Sequence, residues 1–172
     1  METNKKTIQI TGKTNVDRLT KEKKKRIRAT AQARRLDHER EIVLIDNLVD
    51  EMVGDEYYEK AKREIEKKIN SYKQQDIKRG IFDIKRLISL NETVLKLQKS
   101  KLKCCYCEEP VKILYRIVRE PKQWTLDRID NNDCHSCDNT VIACLECNLK
   151  RRVTDKEKFE FTKKMKLIKR DN

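Results

Sequence analysis

The sequence predicts an α+β chain, with a helical amino-terminal region followed by a small cysteine-stapled unit of short strands and helix. Three observations predict it. Apolar residues recur at helical spacing between Val16 and roughly residue 100. Beyond Cys107 the pattern changes to short β-branched and aromatic runs. Two Cys-x-x-Cys pairs, Cys104/Cys107 and Cys144/Cys147, bracket those runs.

Residues 1–15 read as a flexible basic arm. Residues 16–100 read as a partly basic helical region, and residues 101–172 as a metal-stapled domain ending in a basic helix. The first helix is expected from Val16 to Met52, basic at first (Lys23, Lys24, Lys25, Arg26), then apolar at Ile42, Ile45, Leu48, Val49 and Met52. Gly54 interrupts it. A second helix carries Tyr57, Ala61, Ile65, Ile69 and Tyr72 as one stripe, whose ordinary use is packing. That stripe also suits self-association through helices. Gly80 marks another break, and Ser89 with Glu92 has capping-box spacing ahead of Val94, Leu95 and Leu97.

Residues 111–118 and Trp124 to Ile129 read as strands, residues 130–138 as a polar loop, and Thr140 to Leu145 as another strand. The chain then turns helical around Asn148. Thr154 and Glu157 offer a capping box for a last helix with Phe159, Phe161, Met165 and Ile168 on its apolar positions.

Composition narrows the function classes. Charged residues make up 41% of the 172 residues and aromatics 5%, too little apolar surface for a large core. No run approaches the ~20 apolar residues of a membrane span. The start of the chain lacks an apolar signal segment, so an intracellular, non-secreted protein is expected, in host cytoplasm or nucleus if viral. Thiols stay reduced there, and seven cysteines then point to metal instead of disulfides. The net charge of +13 is uneven: residues 1–40 hold 13 basic and 5 acidic groups, residues 104–149 hold 5 and 8, and residues 150–170 hold 10 and 3. Basic flanks around an acidic centre suit a nucleic-acid partner held by its phosphates.

A two-residue gap lets both sulfurs of a Cys-x-x-Cys turn face one ion, and two such turns complete a tetrahedral four-thiolate zinc site. With no open coordination position, that zinc is structural. Cys105 reads as a neighbour turned away. Cys134 and Cys137 read as free thiols, with a second metal site including His135 as the alternative.

Around the staple lie Leu126-Asp127-Arg128-Ile129-Asp130-Asn131, His135, Asp138-Asn139 and Cys147-Asn148. Here the sequence resembles the HNH endonuclease family, in the Leu-Asp-Arg-Ile-Asp-Asn variants found in phages and giant DNA viruses. The resemblance covers residues 104–152. It implies a ββα-metal (His-Me finger) fold and a metal-dependent DNA endonuclease. By that resemblance Asp127 and Asn148 hold a catalytic Mg²⁺ or Mn²⁺, and Asn139 orients the base. Lys150, Arg151 and Arg152 are expected to contact DNA phosphates. The family places the base histidine directly after the aspartate, and this chain has Arg128, which cannot act as a base. His135 is then the first choice for general base, Asp130 the second, and Arg128 a phosphate clamp. The alternative is a catalytically inactive, zinc-dependent DNA-binding protein on the same fold.

Overall fold

The structure is a computed structural model that describes residues 9–20, residue 27 and residues 36–165. Six helices and a two-stranded antiparallel sheet make up its regular elements. In order they are α1 (Lys13–Thr20), α2 (His38–Val49), α3 (Tyr58–Arg79), α4 (Leu90–Lys99), β1 (Trp124–Arg128), β2 (Thr140–Cys144), α5 (Leu145–Arg151) and α6 (Lys156–Lys164). None of the described helices is long and apolar enough to cross a membrane.

The helix expected from Val16 to Met52 is divided. Its middle, apart from Ile27, lies outside the described residues. The described carboxy-terminal portion starts where the Asp37 carboxylate accepts the Arg40 N–H at 2.8 Å, an N-cap that satisfies an otherwise orphaned donor. It stops before Met52. Glu51 takes a left-handed conformation (φ 54°) and the chain folds back, with the Met52 N–H donating to the Asn47 carbonyl. Met52 is consequently exposed, while Leu44, Ile45 and Leu48 are buried.

Helix α3 buries Ala61, Ile65, Ile69 and Tyr72 as its stripe, with Tyr58 replacing Tyr57 at the amino-terminal end. The stripe runs one turn further than expected, to the fully buried Asp76. Gly80, at φ 72°, ends the helix by donating its N–H back to the carbonyls of Asp76 and Ile77, a left-handed cap that glycine adopts without a Cβ clash. In α4 the Ser89/Glu92 capping box forms with both of its hydrogen bonds, and Val94 and Leu97 are buried.

The expected strand over residues 111–118 does not form. Val111, Ile113 and Leu114 are buried as a strand's apolar residues would be. However, the N–H groups of Ile113 and Leu114 both donate to one oxygen of Glu41, at 3.1 and 3.0 Å. A buried carboxylate from α2 thus takes the place of a neighbouring strand. Among the described residues the segment makes only isolated bridges, Lys112 with Gln123 and Ile117 with Ile27, just after the bridge of Lys103 with Pro110. Strands β1 and β2 pair in the register Trp124–Cys144 through Arg128–Thr140. Each ends one residue before its expected limit, at Arg128 and Cys144.

The last helix is capped by Asp155, whose carboxylate accepts the Lys158 N–H at 3.0 Å, and not by Thr154. Only Phe159 of its aromatic residues packs inward, edge-on against Tyr106 at 5.0 Å. Phe161 and Met165 are exposed, because α6 meets the rest of the chain along one narrow face. Ile168 lies outside the described residues.

A single apolar cluster joins the helices to the cysteine-bearing segment. Leu44 and Ile45 of α2, Ile65 of α3 and Leu97 of α4 belong to it, together with Tyr106, Trp124 and Ile142. Lys68 of α3 lies 4.7 Å over the Trp124 ring and donates to the Trp124 carbonyl. Truncating a buried tryptophan of this kind costs about 3–5 kcal/mol.

Candidate functional site

The two cysteine pairs converge. The first lies on a tight knuckle after α4, closed by the Glu108 N–H on the Cys104 carbonyl and the Cys104 N–H on the Glu109 carbonyl. Lys101, Leu102 and Glu108 all adopt positive φ to make that turn. The second pair straddles the junction of β2 and α5, where Cys144 is the helix N-cap and its sulfur accepts the Cys147 N–H. The Sγ atoms of Cys104, Cys107, Cys144 and Cys147 all lie within 4.8 Å of one another. Cys107 and Cys144 are 3.9 Å apart, close to the ~3.8 Å edge of a tetrahedron with 2.3 Å metal–sulfur bonds. Four soft, mostly buried donors at this separation could hold a metal ion such as zinc. Cys105 is outside the cluster, and its N–H ties the knuckle to β2 through the Ile142 carbonyl at 2.9 Å. Cys134 and Cys137 form no metal-holding group among the described residues.

Beside the end of β1 is a cleft of about 330 Å³. Asp127 and Arg128 at the end of β1, His135 from the following loop and Asn148 from α5 all line it. With Arg152, the chain therefore gathers five of the site residues singled out by sequence into one place.

His135 is held at Nδ1, at its backbone and on one ring face. Its Nδ1 lies 2.7 Å from Asp76 Oδ1, and its backbone N–H donates to Asp76 Oδ2 at 2.8 Å. Its carbonyl accepts the Ile88 N–H, and its ring stacks on Tyr72 at 4.6 Å. A carboxylate at Nδ1 favours the tautomer protonated there, which leaves Nε2 with its lone pair. Burial pushes the imidazole pKa below its ordinary 6.5, Asp76 opposes that shift, and the positive charges of Arg128 and Arg79 add to it. The neutral ring is the form the fold holds at pH 7.

Asp76 was missed by sequence reasoning, which ended the α3 stripe at Tyr72. The available signal was its position, four residues past Tyr72 on the buried stripe.

Asn139 does not touch the imidazole. Its side chain donates to the carbonyls of Asp130 and Cys134 and accepts the Asp130 N–H, closing the loop that carries His135. Asp130 is exposed; its carboxylate accepts the Asn132 N–H, the loop-capping bond of an Asx turn.

The pair assigned by resemblance to a catalytic divalent ion does not fit one. Asp127 Oδ1 accepts a hydrogen bond from Arg151 at 3.0 Å, and Oδ2 accepts one from the Tyr106 hydroxyl at 2.6 Å. Both oxygens of the carboxylate are thus committed in a buried setting. Asn148 turns its amide nitrogen toward β1, donating to Thr125 Oγ1 at 3.1 Å. A hard cation needs several available oxygens.

Arg151 is likewise not where a phosphate contact would put it. It is 1% exposed, and besides Asp127 it donates to the carbonyls of Arg128 and Ile129. Helical geometry explains the difference: Arg151 is four residues past the buried Cys147, on the same inward face. Lys150 is exposed and pairs with Glu146 at 2.6 Å, while Arg152 is exposed and lines the cleft.

Comparisons with protein-family models, curated proteins and solved structures give no match to this chain.

Proposed function

We propose that this protein is a zinc-stapled DNA endonuclease of the HNH type, hydrolysing phosphodiester bonds at the cleft between β1, α3 and α5. The observation that carries the reading is the buried Asp76–His135 pair opening onto a cleft shared with Asp127, Arg128 and Asn148. A neutral imidazole fixed by a carboxylate at one nitrogen is a competent general base at the other.

In this reading His135 Nε2 takes a proton from a water molecule, whose oxygen forms a bond to phosphorus. The phosphorus–oxygen bond to the sugar breaks, and the leaving oxygen takes a proton from solvent. Arg128 is placed to balance charge on the phosphoryl oxygens. Zinc on Cys104, Cys107, Cys144 and Cys147 supplies folding free energy, on the order of 10 kcal/mol or more, and no chemistry. DNA is held mainly through phosphates by Lys150, Arg152 and the basic α6.

The test is conversion of supercoiled plasmid, with and without added Mg²⁺ or Mn²⁺, by the wild-type chain and by His135→Ala. No cutting by the wild type under any of these conditions, or equal cutting by the variant, sinks the proposal. A second reading has its own supporting observation. With both Asp127 oxygens committed to Arg151 and Tyr106, the cleft suits a DNA-binding module that has lost cleavage. Such a module retards DNA in a salt-sensitive manner and cuts none.

A further inference from the structure

The walls of the cleft are cationic. Arg79 from the end of α3, Arg128 from β1 and Arg152 from the end of α5 all line it. Among the described residues Asp127 is the sole carboxylate on its walls, and Arg151 already neutralises that charge at 3.0 Å. Asp76, behind His135, is shared between the imidazole at 2.7 Å and Arg128 at 3.7 Å. Arg79 and Arg152 have no carboxylate partner among the described residues.

Three guanidinium groups around one opening repel one another. A divalent cation placed among them would add to the repulsion, whereas an anion relieves it. Guanidinium is also the side chain best matched to phosphate, which it binds through paired N–H donors.

We infer that the cleft is an anion site for a phosphodiester group, held by Arg79, Arg128 and Arg152 without a divalent cation. Nucleic acid as the source of that phosphate rests on the nuclease reading above; the cation-free anion site itself rests on the cleft's charges. Arg128, buried and tethered through Nη1 to the Asp133 carbonyl at 3.1 Å, fixes the phosphate beside His135 with its remaining N–H groups. Arg79 and Arg152, both exposed, close on it from the two helix ends.

The experiment uses the full chain with its cysteine site metal-loaded, in buffer without added Mg²⁺. Inorganic phosphate is titrated while the His135 imidazole resonances are followed by NMR, and a short fluorescent duplex is titrated by anisotropy. Phosphate should shift the His135 resonances, and Arg79→Gln and Arg152→Gln should each weaken phosphate about tenfold, the loss of one charge-assisted contact. Both residues are exposed, so their variants keep the fold, which a melting curve verifies. Added Mn²⁺, read by paramagnetic broadening, should leave the signals around Asp127 no more broadened than those of the surface.

Phosphate binding that requires added Mg²⁺, selective broadening around Asp127, or phosphate affinity unchanged in both variants overturns the inference. Phosphate binding without Mg²⁺ in a chain that cuts no plasmid supports the anion site while removing the nuclease. Metal-dependent cutting with no phosphate-induced shift does the reverse.

Discussion

Replacing Asp76 with asparagine tests the chemistry of the cleft at a position no substrate touches. The wild-type carboxylate accepts two hydrogen bonds from one residue, at 2.7 Å from the His135 ring and 2.8 Å from its backbone N–H. Asparagine keeps the shape but has one acceptor oxygen and one donor nitrogen. The backbone N–H cannot change sign, so it keeps the oxygen. The amide nitrogen then faces Nδ1, which must give up its proton, and the proton moves to Nε2. The ring presents a donor to the cleft where a base is required. Loss of one charge-assisted bond at a buried site costs stability of about 1–3 kcal/mol. The inverted tautomer should cost activity on the order of 10³-fold or more. Removing the carboxylate also removes what opposes burial, so the imidazole pKa falls further below 6.5. Plasmid nicking gives the rate, and ¹⁵N shifts of the two ring nitrogens give the tautomer and the titration. Folding linkage has a definite sign here. A depressed imidazole pKa leaves its stability contribution intact above about pH 6.5 and erodes it as pH falls toward the folded value. An Asp76→Asn chain that nicks at the wild-type rate, or whose His135 keeps its tautomer and pKa, refutes the positioning role. A merely structural role would move the melting temperature and leave the tautomer alone.

Three further outcomes are expected. The Glu41 carboxyl is pushed up by burial to about 7 from an ordinary 4.5. Between those values the folded chain holds a proton that the unfolded chain has lost, so stability falls as pH rises, by about 3 kcal/mol across the window. Glu41→Gln keeps an acceptor for Ile113 and Leu114, and denaturant melts on both sides of the window should show that dependence flattened. Metal analysis should find one tightly held zinc per chain, and Cys144→Ser or chelation should abolish the cooperative melt, since the ion supplies on the order of 10 kcal/mol; a variant that melts normally without metal contradicts this. Arg152 sits at φ 53°, ψ −114°, a conformation suited to glycine. Arg152→Gly should therefore raise stability by about 1 kcal/mol while weakening phosphate binding, and a lowered melting temperature would show that the backbone there is unstrained.

What the sequence made legible was what adjacent residues decide. The Ser89/Glu92 box, the cysteine pairs and most of the α3 stripe depend on spacings of three or four, and each formed. The segment at 111–118 was misread because two of its backbone N–H groups, Ile113 and Leu114, are satisfied by Glu41, some seventy residues earlier, and no local pattern carries that. Asp76 and Arg151 share a different cause. Each is a charged residue on a helix otherwise rich in exposed charge, and each lies one turn from a buried neighbour, Tyr72 in one case and Cys147 in the other. Position on the face outweighed residue type. The convergence of Asp127, Arg128, His135 and Asn148 was legible as a grouping. The partners that decide their chemistry were not: Asp76 and Arg79 come from a helix without a motif, and Tyr106 is one of the two residues that the Cys104-x-x-Cys107 spacing leaves unspecified.

His135 is carried by a loop of the cysteine-bearing segment, yet its orientation is dictated by a helix 59 residues earlier in the chain. The cleft is consequently a property of docking and belongs to neither segment alone. A fragment of residues 101–172 would retain the four clustered thiols but lose the carboxylate, the stacking tyrosine and Arg79 together. Substitutions on the hidden side of α3, such as Ile65 or Ile69, should therefore register as changed chemistry several turns away. The helix acts as a lever arm, and the imidazole reports how well its far end is seated.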